Sequence, residues 1–283
     1  MTIGICGAGT MGSGIAYAAA AAGYGVLLYD ISEEFITGGL GHVARFLNTG
    51  VDRGKITREV ADALQARVQP SPDLAGFAPC SLIVEAIIED LEAKRDLFTR
   101  LESIVAADTI LASNTSSLPI TAIATPLAHP ERVVGMHFFN PAHIMKLVEV
   151  IRGYRTADDV VEKTVEISRT MGKTPVMAKD TPGFIVNRVA RNFYGEALRI
   201  VGENGATIEQ VDRCMRGIGF RMGPFELMDM IGIDINLAVT ESVYAQFFNE
   251  PRFRPHPIQR KMVESGLLGK KSGGGFYAES REG

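Results

Sequence analysis

With 283 residues, 46% of them hydrophobic, the chain allows one large or two ordinary domains and can fill a substantial core. A formal net charge of −4 offers no basic face for nucleic acid, and no run of about 18 apolar residues is present to cross a membrane. Residues 1–2 lead straight into a strand pattern, so no signal or transit peptide is expected. The three cysteines, Cys6, Cys80 and Cys214, are far apart and lack CxxC spacing. They read as small buried apolar side chains in a reducing compartment, and a cytoplasmic protein is expected.

The first thirty residues organise the rest. An apolar strand runs into a glycine turn, GAGTMG at Gly7–Gly12, which opens a helix of small residues. A second apolar strand then ends in Asp30. A glycine motif alone is weak evidence, but strand, turn, helix, second strand and acid together are a dinucleotide-binding unit. Gly7 permits the tight turn, Gly9 lets backbone come close to a pyrophosphate, and Gly12 lets the helix lie against the strand. The helix start, through Thr10 and Met11, offers free amides and a positive dipole end to that pyrophosphate. Asp30 stands 21 residues after Gly9, where a carboxylate can bond a ribose hydroxyl and would repel a 2′-phosphate. NAD is therefore expected rather than NADP.

Beyond Asp30 the apolar spacing predicts an amphipathic helix to about residue 54 and a second over 57–68, with Thr57 as its cap and Glu59 in its first turn. Arg53 and Lys55 lie at the tip of this excursion, either as solvated charges or as contacts to the phosphates of an extended substrate. The continuous apolar run 81–88 suits a strand buried on both faces. Glu89 follows its end, in the zone where ligands of doubly wound sheets bind. A helix over 91–106 carries Lys94 in its first turn, where a cation opposes the dipole unless an anion is near. Residues 109–113 form the next strand and run into a polar cluster, SNTSS. Strand 132–136 empties into His137, residues 146–151 are strand-like, 158–171 are helical and 174–178 form a last strand. The break at Asp180–Gly183 separates a doubly wound, mostly parallel sheet domain of Rossmann type (1–182) from an all-helical domain (183–283). In the latter, helices are expected over 184–201, 208–216, 225–230, 236–248 and 258–264. The tail 268–277 reads as flexible and basic. A Met- and Leu-rich helical domain commonly pairs with itself, so a homodimer through this domain is expected.

A hydride transfer to or from an alcohol needs a group that takes or gives the hydroxyl proton, and histidine is the usual one. Of five histidines, His137 alone falls at the C-terminal end of an expected parallel strand. Glu149 lies 12 residues on, inside an apolar segment where an unpartnered carboxylate is costly. Together they would fix the imidazole tautomer and stabilise the imidazolium. His137, His143 and Glu149 could instead be metal ligands if their geometry converged. No metal site is expected.

These motifs resemble the 3-hydroxyacyl-CoA dehydrogenase family in its short, single-function form. The matching stretches are Gly7–Gly12 (GAGTMG), Val84–Glu89 (VEAIIE), Ser113–Leu118 (SNTSSL), His137–Pro141 (HFFNP), Met145–Glu149 (MKLVE), Asp180–Arg188 (DTPGFIVNR), Met222–Leu227 (MGPFEL) and Gly269–Tyr277 (GKKSGGGFY). They span both domains in family order. The resemblance implies His137 as general acid and base with Glu149 as its partner, and Ser116 and Asn187 at the substrate oxygen on C3. It implies Asn140 near the nicotinamide, Asp30 on the adenosine ribose, and Glu89, Lys94 and Lys271 in contact with the cofactor. Asn187 follows the domain break, so the implied site spans the cleft. An acyl-CoA substrate is implied, most simply 3-hydroxybutyryl-CoA, with Arg53 and Lys55 available to its phosphates. The serine that often serves there in the family is not evident. The alternatives are a same-fold dehydrogenase for 3-hydroxyadipyl-CoA or for a sugar acid of L-gulonate type, or a non-catalytic NAD-binding protein.

Overall fold

A computed structural model describes residues 1–277. The chain divides into two compact units, Met1–Thr181 and Pro182–Gly283. The first is built on one eight-stranded sheet. In chain order it comprises β1 (Thr2–Cys6), α1 (Thr10–Ala21), β2 (Gly25–Tyr29), α2 (Glu33–Asp52), α3 (Arg58–Arg67), β3 (Val68–Pro70), β4 (Leu82–Glu85) and α4 (Leu91–Glu102). There follow β5 (Ile110–Ser113), α5 (Ile120–Ala124), β6 (Val133–Phe138), β7 (Leu147–Arg152), α6 (Asp158–Thr170) and β8 (Thr174–Lys179). The spatial order is β3-β2-β1-β4-β5-β6-β7-β8. All neighbours are parallel except β6 and β7. The order reverses between β1 and β4, which places the ligand crevice of such a sheet at their C-terminal ends.

Period-2 alternation assigns each strand two apolar faces. Ile3, Ile5, Leu82, Val84, Val134, Met136 and Phe138 join one buried cluster with α1, α2 and α6. On the opposite face Gly4 approaches Phe77 and Ile83, and Gly135 approaches Ile120 of α5 and Ile151 of β7. His137 is two residues beyond Gly135 and therefore lies on that second face.

The element boundaries bear out the main pattern and correct it in places. The helix expected over 57–68 stops at Arg67. Val68 instead pairs with Val26 and begins a three-residue edge strand, too short to register as a period. Thr57 caps that helix as expected, accepting from the Val60 amide at 3.3 Å. The run 81–88 leaves the sheet at Glu85, and α4 ends at Glu102 rather than 106. His137 lies within β6 rather than beyond it. Cys6 and Cys80 are buried, but Cys214 is exposed, correcting the reading of all three as buried.

The second unit holds α7 (Val186–Gly202), α8 (Ile208–Gly217), α9 (Pro224–Ile231), α10 (Ile233–Gln246) and α11 (Pro257–Glu264). Its core gathers Tyr194, Leu198, Val211, Phe225, Met228 and Ile233. The glycine-rich segment 268–277, expected to be flexible, is tied down. The buried Asp229 carboxylate accepts the amides of Phe276 and Tyr277, each at 2.9 Å, and the Tyr277 hydroxyl donates to Asp212 at 2.9 Å. Burial and the Asp212 carboxylate push the Tyr277 phenol well above its ordinary range. Its partners lie some 50 to 65 residues away in sequence, beyond the reach of local composition. Asp229→Ala should cost about 1–3 kcal/mol by stranding two amides. Urea unfolding measures the loss, and tryptic cleavage at Lys270 and Lys271 should accelerate.

Candidate active site

The glycine turn has the geometry its sequence demands. Gly7 has φ of +104°, and a Cβ there would press on the Ala86 carbonyl at the head of the adjoining strand end. A Cβ on Gly12 would collide with the Gly7 carbonyl, so any side chain there lifts α1 off the turn. At Gly9 a Cβ would meet open space, so the backbone is approachable from outside. Gly9 also caps α1 with no side-chain bond, and no acidic residue sits in the first turn. The leading amides are therefore available to an anion. Asp30 is fixed just past β2: one oxygen accepts the Ala8 amide and the other the Ile31 amide, each at 2.7 Å. A bare helix start, an approachable turn and an anchored carboxylate fit the pyrophosphate and ribose of a dinucleotide.

His137 and Glu149 face each other directly across the antiparallel β6–β7 ladder. The Nδ1–Oε2 distance is 2.8 Å, with 7% and 1% of the two side chains exposed. Such a pair orients the ring and commits Nδ1 to the carboxylate. The strand end is fixed sideways too, because the Phe138 amide donates to Asn114 Oδ1 at 2.8 Å. His143 goes elsewhere: its ring stacks on Phe46 at 3.9 Å and meets Tyr17 edge-on. The imagined set of His137, His143 and Glu149 does not gather, and no group of three such side chains among the described residues could hold a metal.

Glu89 is the hub of the polar cluster after β5. Its Oε1 accepts the Thr115 hydroxyl at 2.7 Å, the Ser116 amide at 2.8 Å and the Ser117 amide at 3.1 Å. The Ser116 hydroxyl lies 3.2 Å from the same oxygen. Burial pulls the Glu89 carboxyl up, but Lys94 and these donors outweigh it and hold it below its ordinary value.

Lys94 is neither a solvated surface charge nor open to an external anion. Its side chain is 1% exposed, and its ammonium lies 2.5 Å from Glu85 and 3.3 Å from Glu89. The anion that a first-turn lysine calls for is supplied by the chain itself. Glu85 also accepts from the Ser113 hydroxyl at 2.6 Å and the Ile87 amide at 2.8 Å. Burial raises its carboxyl despite those partners. The sequence reading missed Glu85 and Ser113 as site residues. The signal was present: Glu85 interrupts an apolar strand as Glu149 does, and a buried carboxylate needs a partner.

The other candidates lie where their elements put them. Asn140 is exposed at a cis bond to Pro141, just past β6. Arg53 caps the C-terminus of α2 and Lys55 follows it. Both are exposed, and neither pairs with a carboxylate among the described residues. In the second unit, Asn187 is the second residue of α7, and Lys271 pairs with Asp234 at 2.6 Å.

This is a dinucleotide-binding α/β unit with a buried histidine–glutamate pair at the C-terminal edge of its sheet, the class of a nicotinamide-dependent dehydrogenase. Residues 2–181 match the model of the 3-hydroxyacyl-CoA dehydrogenase NAD-binding domain, and residues 183–279 match the C-terminal domain of the same family. The chain belongs to the 3-hydroxyacyl-CoA dehydrogenase family, as its motifs led us to expect. It is 49% identical to the 3-hydroxyadipyl-CoA dehydrogenase of Escherichia coli K12 over 98% of its own length, but it spans only 58% of that relative. It is 44% identical to a probable 3-hydroxybutyryl-CoA dehydrogenase of Deinococcus radiodurans, covering 98% of this chain and 99% of that one. The crystal structure of (S)-3-hydroxybutyryl-CoA dehydrogenase from Ralstonia eutropha superposes with a TM-score of 0.95 at 39% identity, over 99% of both chains.

Lys94→Met leaves Glu85 buried without its counter-ion and should destabilise the first unit by about 3–5 kcal/mol near neutral pH. An unpaired Glu85 has its folded pKa raised above the unfolded value, so stability is retained at low pH and lost as pH rises. The deficit in urea unfolding should therefore shrink toward acidic pH.

Proposed function

We propose that the protein interconverts short-chain (S)-3-hydroxyacyl-CoA and 3-oxoacyl-CoA with NAD, with 3-hydroxybutyryl-CoA and acetoacetyl-CoA as the preferred pair. The observation that carries this is the buried His137–Glu149 couple at the ligand-binding edge of the sheet. Bound NAD supplies the hydride acceptor or donor. In oxidation His137 takes the C3 hydroxyl proton on Nε2, since Nδ1 is committed to Glu149. In reduction it returns that proton to the carbonyl oxygen. Glu149 stabilises the imidazolium formed meanwhile and is not itself protonated. Ser116 positions the C3 oxygen. Asn140 helps hold the nicotinamide end, and Glu89, with Lys94 behind it, shapes the loop beneath it. Arg53 and Lys55 meet the CoA phosphates. Asn187 and Lys271 carry the substrate and cofactor roles that the resemblance implies.

A second substrate, 3-hydroxyadipyl-CoA, is favoured by the name of the 49%-identical relative. Steady-state kinetics with both cofactors on 3-hydroxybutyryl-CoA, 3-hydroxyadipyl-CoA, longer acyl-CoAs and a free sugar acid decide between them. The highest kcat/KM is expected on 3-hydroxybutyryl-CoA with NAD, and a preference for a substrate without CoA would sink the proposal.

We further propose a cytoplasmic homodimer joined through the helical unit. Exposed Ile218, Phe220 and Ile235 on that unit support self-association. No helix among the described residues is long and apolar enough to span a membrane.

His137→Gln should lower kcat by about 10²–10⁴-fold with folding intact. Glu149→Gln should lower kcat while leaving KM nearly unchanged, as loss of an interaction made in the transition state requires. Asp30→Ser should narrow the preference for NAD over NADP by about tenfold or more, the effect of some 1.4 kcal/mol of lost repulsion. The ratio of kcat/KM for the two cofactors reads it directly.

A further inference from the structure

Two carboxylates share one ammonium at the ends of β4 and β5. Lys94 lies 2.5 Å from Glu85 and 3.3 Å from Glu89, and no other cation pairs with either acid among the described residues. Every group that reaches Glu85 donates to it: the ammonium, the Ser113 hydroxyl and the Ile87 amide. That is the bonding pattern of an ionised carboxylate. One negative charge is left uncompensated, shared between Glu85, which is 0% exposed, and Glu89, whose side chain is 38% exposed, so solvent screens it only in part. A nicotinamide ring is cationic when oxidised and neutral when reduced. A fixed charge at this edge of the sheet acts on the pyrophosphate of both forms alike, and on the ring of the oxidised form alone.

We propose that Glu85 biases the bound dinucleotide toward its oxidised form, by keeping the Glu85–Lys94–Glu89 cluster net negative beneath the ring. The inference rests on the reading above that NAD docks on this edge. Glu85 is suited to the task because it is sealed from solvent and offers no atom to a ligand. Its charge can change while the binding surface stays chemically the same. A unit charge acting over roughly 10 Å at an effective dielectric of 20 or more changes the relative affinity of the two forms by about threefold to tenfold. A residue that only filled space would move both affinities together.

The test is calorimetric titration of NAD⁺ and NADH into the full-length protein, with Tm followed in parallel. Glu85→Gln keeps the shape and an acceptor for Lys94 but removes the charge. It should weaken NAD⁺ by about threefold to tenfold while changing NADH by less than about twofold. Glu85→Gln combined with Lys94→Met restores one net negative charge through Glu89 alone, so its ratio of the two affinities should return to the wild-type value. This double variant buries no unpaired ion and also serves if the single variant does not fold. An unmoved ratio in Glu85→Gln, an equal loss for both forms, or a shifted ratio in the double variant overturns the inference. If the wild-type protein binds neither form, the cofactor reading falls and this inference with it. Binding with the wrong ratios overturns this inference alone.

Discussion

The antiparallel register of β6 and β7 is the constraint on which the site depends. It sets His137 opposite Glu149 on one face of the sheet, while Met136, Phe138, Val148 and Val150 point into the core on the other. A one-residue slip of either strand would turn its member of the pair onto the opposite, apolar face and leave the other without its partner. The hydrophobic pattern of two strands and the orientation of the His137 ring are therefore one requirement. Among the described residues this is also the only antiparallel step in the sheet, and it turns the chain back at the C-terminal edge of β6.

A second buried carboxylate obeys the same rule with a different partner. Glu85 and Glu149 each interrupt an apolar strand, and each is matched by a cationic or protonatable group from a neighbouring element. Glu149 meets an imidazole, at 2.8 Å. Glu85 meets an ammonium, at 2.5 Å. The sheet edge thus carries one imidazole–carboxylate couple beside one ammonium–carboxylate couple. The Glu85–Lys94 couple supports Glu89, which in turn gathers the amides and hydroxyls of residues 115–117. Stability and chemistry draw here on the same physics, the cost of an unpaired charge away from water.

Much of this is legible in the amino-acid sequence. The glycine turn, Asp30 and the pairing of a histidine with a buried glutamate follow from short spacings and from the price of burying charge. The alternation of strands and helices gave the doubly wound arrangement. What escaped notice depends on partners distant in sequence or on elements too short to show a period. Three residues of β3 cannot display alternation. The inward turn of Lys94 depends on Glu85, nine residues earlier on another element. The order in residues 268–277 depends on Asp229 and Asp212, and a run of glycines, lysines and a serine by itself speaks only for flexibility.

That anchored segment has a consequence for how the second unit comes into being. Asp229 sits on α9, yet the amides that satisfy its carboxylate arrive only with Phe276 and Tyr277. A nascent chain emerges from the ribosome N-terminus first. The helices from α7 to α11 are thus all made before the donors that complete Asp229 exist. In the interval the carboxylate has to stay hydrated, so the packing around α9 cannot seal. The helical unit reaches its final form only after synthesis has passed Tyr277, and until then this part of its core stays open to water.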